Sequence, residues 1–199
     1  MILEEIVDLM QIGLDAAELG WNGIKVCELG DQRMKWNEYK LGKKWVLAQG
    51  AREHISIDMN GRNGALRMDL SKRINKWHNY FDMVTNYGTA EHVNNGIYIC
   101  FLNIHNFVKK HGVMVHAGPP AGCCPWHSPY HYEPWFFSKL AEIAGYRHVM
   151  SEVRVVAGRT KDQPEKDRSL VCSVLIKEED TPFISKKDFK NINGIEGLK

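Results

Sequence analysis

The stretch FDMVTNYGTAEHV, residues 81–93, changes character within a few residues. It begins with the apolar residues Phe81, Met83 and Val84, as a buried strand would, and Asn86, Tyr87, Gly88 and Thr89 then follow. An acid and a histidine, Glu91 and His92, come next, at a position where a helix would begin. A purely structural loop does not need this chemistry. The stretch therefore predicts a strand whose carboxyl end borders a ligand crevice.

Hydrophobic patterns along the rest of the chain predict alternating strands and helices. The first five predicted strands cover residues 24–29, 54–58, 65–70, 80–86 and 113–117. The predicted helices cover residues 2–19, 36–49, 97–108 and 134–145.

Two later strands are predicted near residues 148–157 and 169–177. The polar segment between them, at 160–168, has no helical pattern, which favours an antiparallel pair. Together these elements predict an α/β fold, a Rossmann-like three-layer sandwich. Its seven-stranded sheet is expected to be mostly parallel, with an antiparallel edge strand.

Length and composition are those of an ordinary globular domain. With 199 residues, we expect a single domain over residues 1–180, which begins with an N-terminal helix at 1–20, and a loose polar tail at 181–199. The net charge of +2 gives no large basic surface for nucleic acid. No apolar run is long enough for a membrane span, and the N-terminal stretch carries acids, so we expect a cytoplasmic protein. The five scattered cysteines do not suggest a disulfide framework.

Each of the first five predicted strands runs into polar residues at its carboxyl end. In a parallel sheet these ends share one edge, where ligands bind. A carboxylate at this edge can accept hydrogen bonds from both hydroxyls of a ribose, and a glycine lets the backbone approach a ligand closely. Strands often end on Asp or Asn for structural reasons alone. The prediction of a ligand site therefore depends on the whole series of polar strand ends and not on any one residue. The set comprises Glu28–Asp31, Asp58, Asp69, Asn86–Gly88 and His116.

In this order the motifs resemble those of the class I S-adenosylmethionine-dependent methyltransferases, in particular the small-molecule branch. The resemblance covers residues 20–178, nearly the whole chain, and it depends on the order and spacing of motifs that are individually weak. The motifs are CELG at 27–30, SIDMNG at 56–61, RMDLS at 67–71, FDMVTNYGTAEHV at 81–93, VMVHAG at 113–118 and HSPYHYEPWFFSKLAEIAGY at 127–146.

The resemblance implies that S-adenosylmethionine is the cofactor, and it assigns a role to several residues at the sheet edge. The implied cofactor-binding residues are Glu28 and Gly30 of the first motif, Asp58 at the ribose, Met68 and Asp69 at the adenine, and Asn86, Tyr87 and Gly88 beside the methionine part.

The first motif departs from the family pattern, which is usually acid-x-Gly-x-Gly-x-Gly. Here Glu28-Leu29-Gly30-Asp31-Gln32-Arg33 contains one glycine. The backbone can no longer approach a cofactor as closely at the later positions. This predicts weaker cofactor binding, a rearranged turn or a site that has lost its activity.

The loop after the fifth predicted strand is rich in histidine and cysteine, with His116, Cys123, Cys124, His127 and His131 within sixteen residues. Its spacing is not a usual zinc pattern, and we predict no metal site. In the resembled family this segment covers the methyl acceptor, so we expect a substrate-binding loop. Histidine titrates near neutral pH and can remove a proton from a hydroxyl group.

The candidate catalytic residues are therefore His127, His131 and, after the fourth predicted strand, His92. The leading hypothesis is methyl transfer to a small hydroxylated acceptor, for example a sugar. The alternative is a catalytically inactive, methyltransferase-like binding subunit. A nicotinamide-dependent oxidoreductase ranks last, since it would need Gly-x-Gly-x-x-Gly after the first strand. We expect no membrane or nucleic-acid partner, and the oligomeric state is left open.

Overall fold

A computed structural model describes residues 1–124, 126–156 and 168–198. The helices are α1 (Asp8–Ala16), α2 (Gly42–Ala48), α3 (Ile97–Phe107), α4 (Phe136–Ala144) and α5 (Lys186–Asn191), with short 3-10 turns at Glu4–Ile6, Arg62–Gly64 and Ala90–His92. The strands are β1 (Lys25–Leu29), β2 (Arg33–Met34), β3 (Lys40–Leu41), β4 (Glu53–Ile57), β5 (Phe81–Tyr87), β6 (Val108–Gly118), β7 (His131–Tyr132), β8 (Tyr146–Val156), β9 (Arg168–Lys177) and β10 (Ile195–Glu196).

The main sheet of the described chain has six strands in the order β4-β1-β5-β6-β9-β8. Strands β4, β1, β5 and β6 are parallel, and β9 runs antiparallel to both of its neighbours. The α/β class and the mostly parallel sheet are thus confirmed. The antiparallel strand is not at the edge, however, because β8 pairs with the outer side of β9.

The third predicted strand, residues 65–70, is the one missing from the sheet. In this segment Leu66 makes an isolated parallel bridge to Ile57 of β4, and no ladder follows it. The predicted helix at 36–49 is also shorter. It begins at Gly42, and the antiparallel pair β2–β3 occupies part of the preceding segment.

Helices cover both faces of the sheet, because successive strand residues point to opposite sides. On one face, Cys27, Leu29 and Val84 pack in a core with residues of α3 and α4. On the other face, Val26 and Met83 pack with residues of α1. This is the predicted three-layer arrangement.

The C-terminal segment packs against the domain and is not the loose tail that we expected. Phe183, Phe189, Ile192 and Ile195 are buried in the core that contains α3 and α4, and β10 pairs antiparallel with β7. The domain division at residue 180 stays a prediction. Residues 157 and 160–167, in the predicted strand end and connecting segment, and Lys199 lie outside the described residues.

Candidate functional site

A cavity of about 540 Å³ opens at the carboxyl ends of β1, β4 and β5. This is the sheet edge at which the polar strand ends were predicted to meet. The cavity is lined by Met1, Gly30–Gln32, Ile57–Met59, Met68–Ser71, Gly88, Thr89 and His92–Asn94. Five of the eight predicted cofactor-binding residues are among them, namely Gly30, Asp58, Met68, Asp69 and Gly88.

The turn after β1 depends on Gly30, whose φ of +85° lies in the left-handed region. A Cβ atom at this position would lie 2.5 Å from both the Gln32 Nε2 and the Thr89 Oγ1 atoms. Any side chain at residue 30 would therefore displace its neighbours as well as strain the backbone.

Glu28 supports this turn from beneath instead of lining the cavity. It is 1% exposed. Its Oε1 atom accepts hydrogen bonds from the Gln32 N–H (3.0 Å) and the Ser56 hydroxyl (3.2 Å), and its Oε2 atom lies 3.6 Å from His54 Nε2. Glu28 is not among the residues that line the cavity, and its carboxylate holds the ends of β1 and β4 together. Its role in cofactor binding stays a prediction.

Gln32 occupies the position at which the resembled family has a second glycine. Its side-chain amide donates to the Leu29 carbonyl (2.9 Å) and to the Thr89 hydroxyl (3.0 Å). Thr89 in turn donates to the same Leu29 carbonyl (2.8 Å). The turn after β1 is thus tied to the end of β5 by side chains. The lost glycine is visible in the sequence, but this bridge is not, since a polar residue in place of glycine is its only signal there.

Asp58 links two strand ends at the cavity wall. Its Oδ2 atom accepts a hydrogen bond from the Asp31 N–H (2.9 Å), and its Oδ1 atom accepts one from the Asn60 N–H (2.8 Å). A carboxylate has about four acceptor sites, so each oxygen can still accept a hydroxyl. Asp31, which was not among the predicted cofactor-binding residues, also lines the cavity and accepts a hydrogen bond from Asn63 Nδ2 (2.5 Å).

Asp69 forms another wall of the cavity together with Met68. Hydrogen bonds from the Ser71 hydroxyl (2.7 Å) and the Ser71 N–H (2.9 Å) lower the pKa of the Asp69 carboxyl. This side chain therefore stays ionised and acts as an acceptor near neutral pH.

Two of the residues predicted at the end of β5 do not line the cavity. Asn86 accepts a hydrogen bond from the Ala90 N–H (2.9 Å), which fixes the turn after the strand. Tyr87 is buried among residues of the opposite core, and its hydroxyl donates to the Ile6 carbonyl (3.3 Å). Because side chains alternate along a strand, Asn86 and Tyr87 point to opposite faces of the sheet.

His116, at the end of β6, is also absent from the cavity wall. Its ring stacks on Phe101 (5.5 Å between centroids) and Phe137 (4.8 Å), and burial lowers its pKa to about 3. His116 is therefore a neutral member of the core.

The three predicted catalytic histidines lie in one region. His92 lines the cavity, and its ring centroid is 4.8 Å from that of His127 in an edge-to-face arrangement. The pKa of His92 is lowered, mainly because its ring, although solvent-exposed, is partly desolvated by its neighbours, and then by positive charges nearby that include His127 and His131. His131 lies in β7, with Nε2 3.2 Å from the Cys124 carbonyl oxygen.

Glu91 is an unexpected part of this region. It is 1% exposed, and burial raises the pKa of its carboxyl to about 7. Its Oε2 atom has no hydrogen-bond partner among the described residues. Glu91, His92 and His127 each offer a ligand atom, and these atoms lie within 4.8 Å of one another. From the sequence Glu91 could be only a residue at the start of a helix, because its burial depends on packing with distant segments.

None of the helices in the described part of the chain has the length and apolar character needed to cross a bilayer. No known family model matches the chain, and no curated protein sequence is significantly similar to it.

Solved structures are similar to the chain over most of its length. The N-methyltransferase NodS from Bradyrhizobium japonicum WM9, in complex with S-adenosyl-L-homocysteine, matches 86% of this chain and 85% of its own, with a TM-score of 0.57 and 13% identity. The 1,6-didemethyltoxoflavin-N1-methyltransferase from Burkholderia thailandensis, with 1,6-didemethyltoxoflavin and S-adenosylhomocysteine bound, matches 88% of this chain and 80% of its own, with a TM-score of 0.58 and 14% identity.

An S-adenosylmethionine-dependent methyltransferase from Mesorhizobium loti matches 84% of this chain and 97% of its own, with a TM-score of 0.54 and 12% identity. At these identities the likeness concerns the fold, and it agrees with the resemblance found in the sequence motifs. The chain therefore has the fold of the class I S-adenosylmethionine-dependent methyltransferases.

Proposed function

We propose that the protein is an S-adenosylmethionine-dependent methyltransferase that acts on a small hydroxylated acceptor. The observation that carries the proposal is the cavity at the carboxyl ends of β1, β4 and β5, in a chain with the methyltransferase fold. Its volume of about 540 Å³ is in the usual range for a small-molecule site.

The residues of the cavity fit the chemical groups of this cofactor. Asp58 offers carboxylate oxygens to the ribose hydroxyls, and Asp69 offers one to the adenine amino group, beside the apolar side chain of Met68. Gly30 and Gly88, both with positive φ, let a ligand approach the backbone closely. When bound, the cofactor supplies an already activated methyl group on a sulfonium centre. The protein's own task is to orient the acceptor and to exclude water.

Three histidines support the assignment of a hydroxylated acceptor. Removal of a hydroxyl proton needs a base, and His92, His127 and His131 lie beside the cavity or next to one another. A sugar remains one example of such an acceptor. The names of two similar structures refer to N-methyltransferases, so a nitrogen acceptor is the second candidate.

A catalytically inactive binding subunit remains the alternative function. The bridge from Gln32 to Leu29 and Thr89 favours it, because a side chain occupies a turn that glycines would leave open. The cytoplasmic location and the absence of a nucleic-acid partner stay predictions from the sequence.

The test is an assay of S-adenosylhomocysteine release from S-adenosylmethionine with two acceptor sets, one of polyhydroxylated compounds and one of small amines. Release that depends on a hydroxylated acceptor supports the proposal, and release with amines alone redirects it to nitrogen. Binding of S-adenosylmethionine without release for any acceptor favours the inactive subunit. Loss of release in His127→Ala, but not in His148→Ala, an exposed position on the outer strand β8, would connect the loop to the reaction.

A further inference from the structure

We propose that Glu91, His92 and His127 form a binding site for a divalent transition-metal ion at the edge of the cavity. The two imidazoles and one carboxylate offer ligand atoms that lie within 4.8 Å of one another. Two histidines and one carboxylate are a common ligand set for zinc and for non-haem iron, and both sites keep further positions open for water or substrate.

The carboxylate of Glu91 points to a ligand independently of the histidines. It is 1% exposed, and its Oε2 atom lacks a hydrogen-bond partner among the residues described. An ionised carboxylate that is buried without a partner is costly, and binding a cation removes this cost. The nearby turn is held by the hydrogen bond from the Ala90 N–H to Asn86 and by that from the His92 N–H to the Thr89 carbonyl (3.0 Å).

The two histidines supply the accessible side of the site. Both are solvent-exposed, so an ion can enter, and their rings are already in edge-to-face contact. Zinc binds nitrogen and oxygen at about 2.0–2.2 Å, which puts tetrahedral ligand atoms about 3.3–3.6 Å apart. The ligand atoms, which lie within 4.8 Å of one another, therefore need to approach by no more than roughly 1.5 Å, which rotation of the exposed imidazoles can supply.

The site adjoins the cavity proposed to hold the cofactor. His92 lines that cavity, and Glu91 Oε1 lies 3.4 Å from the place where a Cβ atom on Gly88 would be. An ion held here would have open positions directed to an oxygen-bearing molecule and would lower the pKa of a bound hydroxyl. This use of the ion rests on the proposed function, whereas the binding of the ion does not.

The cysteines of the same loop are not part of the proposed site. The sequence placed Cys123 and Cys124 near His127 as residues of metal-ligand type, but the three-residue group that the geometry brings together contains neither of them. The carboxylate comes instead from the turn after β5, which is distant in sequence from His127.

The experiment is a titration of the metal-free protein with Zn²⁺ by calorimetry, and with Co²⁺ by visible absorption, without S-adenosylmethionine. We expect one ion per chain. Mutation of a residue that only hydrogen-bonds to a metal ligand typically lowers metal affinity about 10- to 100-fold. Glu91 and His127 are proposed as ligands themselves, so we expect Glu91→Gln and His127→Ala to weaken Zn²⁺ binding by more than about 100-fold. His148→Ala, an exposed histidine on β8, is the matched control and should bind as the wild type does.

Circular dichroism and melting curves of each variant verify folding, and His127→Ala changes an exposed loop residue, so it tests the proposal even if Glu91→Gln does not fold. The proposal is overturned if the wild type binds no stoichiometric ion, or if folded His127→Ala binds Zn²⁺ as tightly as the wild type. Binding of S-adenosylmethionine is measured separately, so failure of the metal site and failure of the proposed function give different results.

Discussion

The backbone N–H of Asp31 donates a 2.9 Å hydrogen bond to the carboxylate of Asp58. This contact joins the turn after β1 to the end of β4, and both residues line the same cavity. A carboxylate held from one side by the backbone presents its remaining lone pairs in a fixed direction. The relationship explains how a first motif with one glycine can still form a defined wall for a ligand.

Gly30→Ala is expected to disrupt this wall, and Gly23→Ala is its matched control. Both glycines have a similar positive φ, +85° and +82°, so both substitutions cost about 1–2 kcal/mol of backbone strain. A Cβ on Gly23 meets nothing within 4 Å, whereas one on Gly30 would lie 2.5 Å from Gln32 and Thr89.

We therefore expect Gly30→Ala to lower the free energy of unfolding by at least about 1 kcal/mol more than Gly23→Ala does, and to abolish cofactor binding. Urea unfolding and ligand titration of both variants measure this. Equal effects of the two substitutions would contradict the described packing of the turn.

His116 predicts a loss of stability in acid. Burial lowers its pKa in the folded state to about 3, while the unfolded chain has a value near 6.5. Between these values the unfolded state binds the additional proton, so the folded state is favoured most above about pH 6.5 and loses stability as the pH falls. At pH 5, His116 alone is expected to lower the free energy of unfolding by about 2 kcal/mol.

The measurement is urea unfolding of the wild type and of His116→Gln between pH 7 and pH 5. Over this range, the free energy of unfolding of His116→Gln should fall by about 2 kcal/mol less than that of the wild type. His105, whose pKa is lowered to about 4, mainly by burial, gives the same trend in both proteins and cancels in the comparison. Parallel pH profiles would mean that His116 is not buried as described.

Lys177 joins the end of β9 to the segment before β5, to the junction of α3 and β6, and to Asp180 just after the strand. Its side chain is fully buried, and Nζ donates to Asn79 Oδ1 (2.8 Å), to the His105 and Val108 carbonyls (3.1 and 3.3 Å) and to Asp180 Oδ1 (3.2 Å). Lys177→Met leaves these acceptors without their donor, so the free energy of unfolding should fall by about 2–4 kcal/mol.

Lys110→Met is the control for this prediction, because the exposed pair between Lys110 and Glu179 should contribute less than about 1 kcal/mol. Chemical unfolding of the two variants separates a buried network from a surface ion pair. If the free energy of unfolding of Lys177→Met falls by less than about 1 kcal/mol, the hydrogen bonds of Lys177 contribute no more to stability than a surface ion pair does.

Much of the sheet could be predicted from the sequence because strands such as β5 begin with clustered apolar residues, here Phe81, Met83 and Val84, and residues 80–86 were expected where Phe81–Tyr87 is found. Residues 65–70 have a similar apolar pattern but make one isolated bridge, since pairing depends on a neighbouring edge that local pattern does not reveal. The burial of the C-terminal segment could have been predicted, because its apolar residues Phe189, Ile192 and Ile195 recur at a spacing of three, as on one face of a packed element.

Site residues could be predicted where their position at the end of a strand places them at the cavity. They could not be predicted where packing between distant segments places them. Asp58 and Asp69 follow predicted strands and line the cavity. Tyr87 is adjacent to Gly88 in sequence but points to the other face of the sheet. The burial of Glu91 and the bridge formed by Gln32 need contacts between residues that are far apart in the chain, so the sequence motifs alone could not supply them.

Asp58 provides the most direct test of whether the cavity binds S-adenosylmethionine. Thermal melting would be recorded for the wild type, Asp58→Ala and the exposed control Asp15→Ala with S-adenosylmethionine, S-adenosylhomocysteine and NAD. At about 100 times Kd, a ligand adds about 2.7 kcal/mol, which raises the melting temperature of a chain of this size by about 5–10 °C.

We expect this shift for the wild type and Asp15→Ala with S-adenosylmethionine and S-adenosylhomocysteine, and not with NAD. Asp58→Ala should lose about 1.5–3 kcal/mol of binding free energy, and with it most of the shift at the same ligand concentration. If the wild type shows no shift with either S-adenosyl ligand, or if Asp58→Ala shifts as fully as Asp15→Ala, the cavity does not bind the cofactor through Asp58 as proposed.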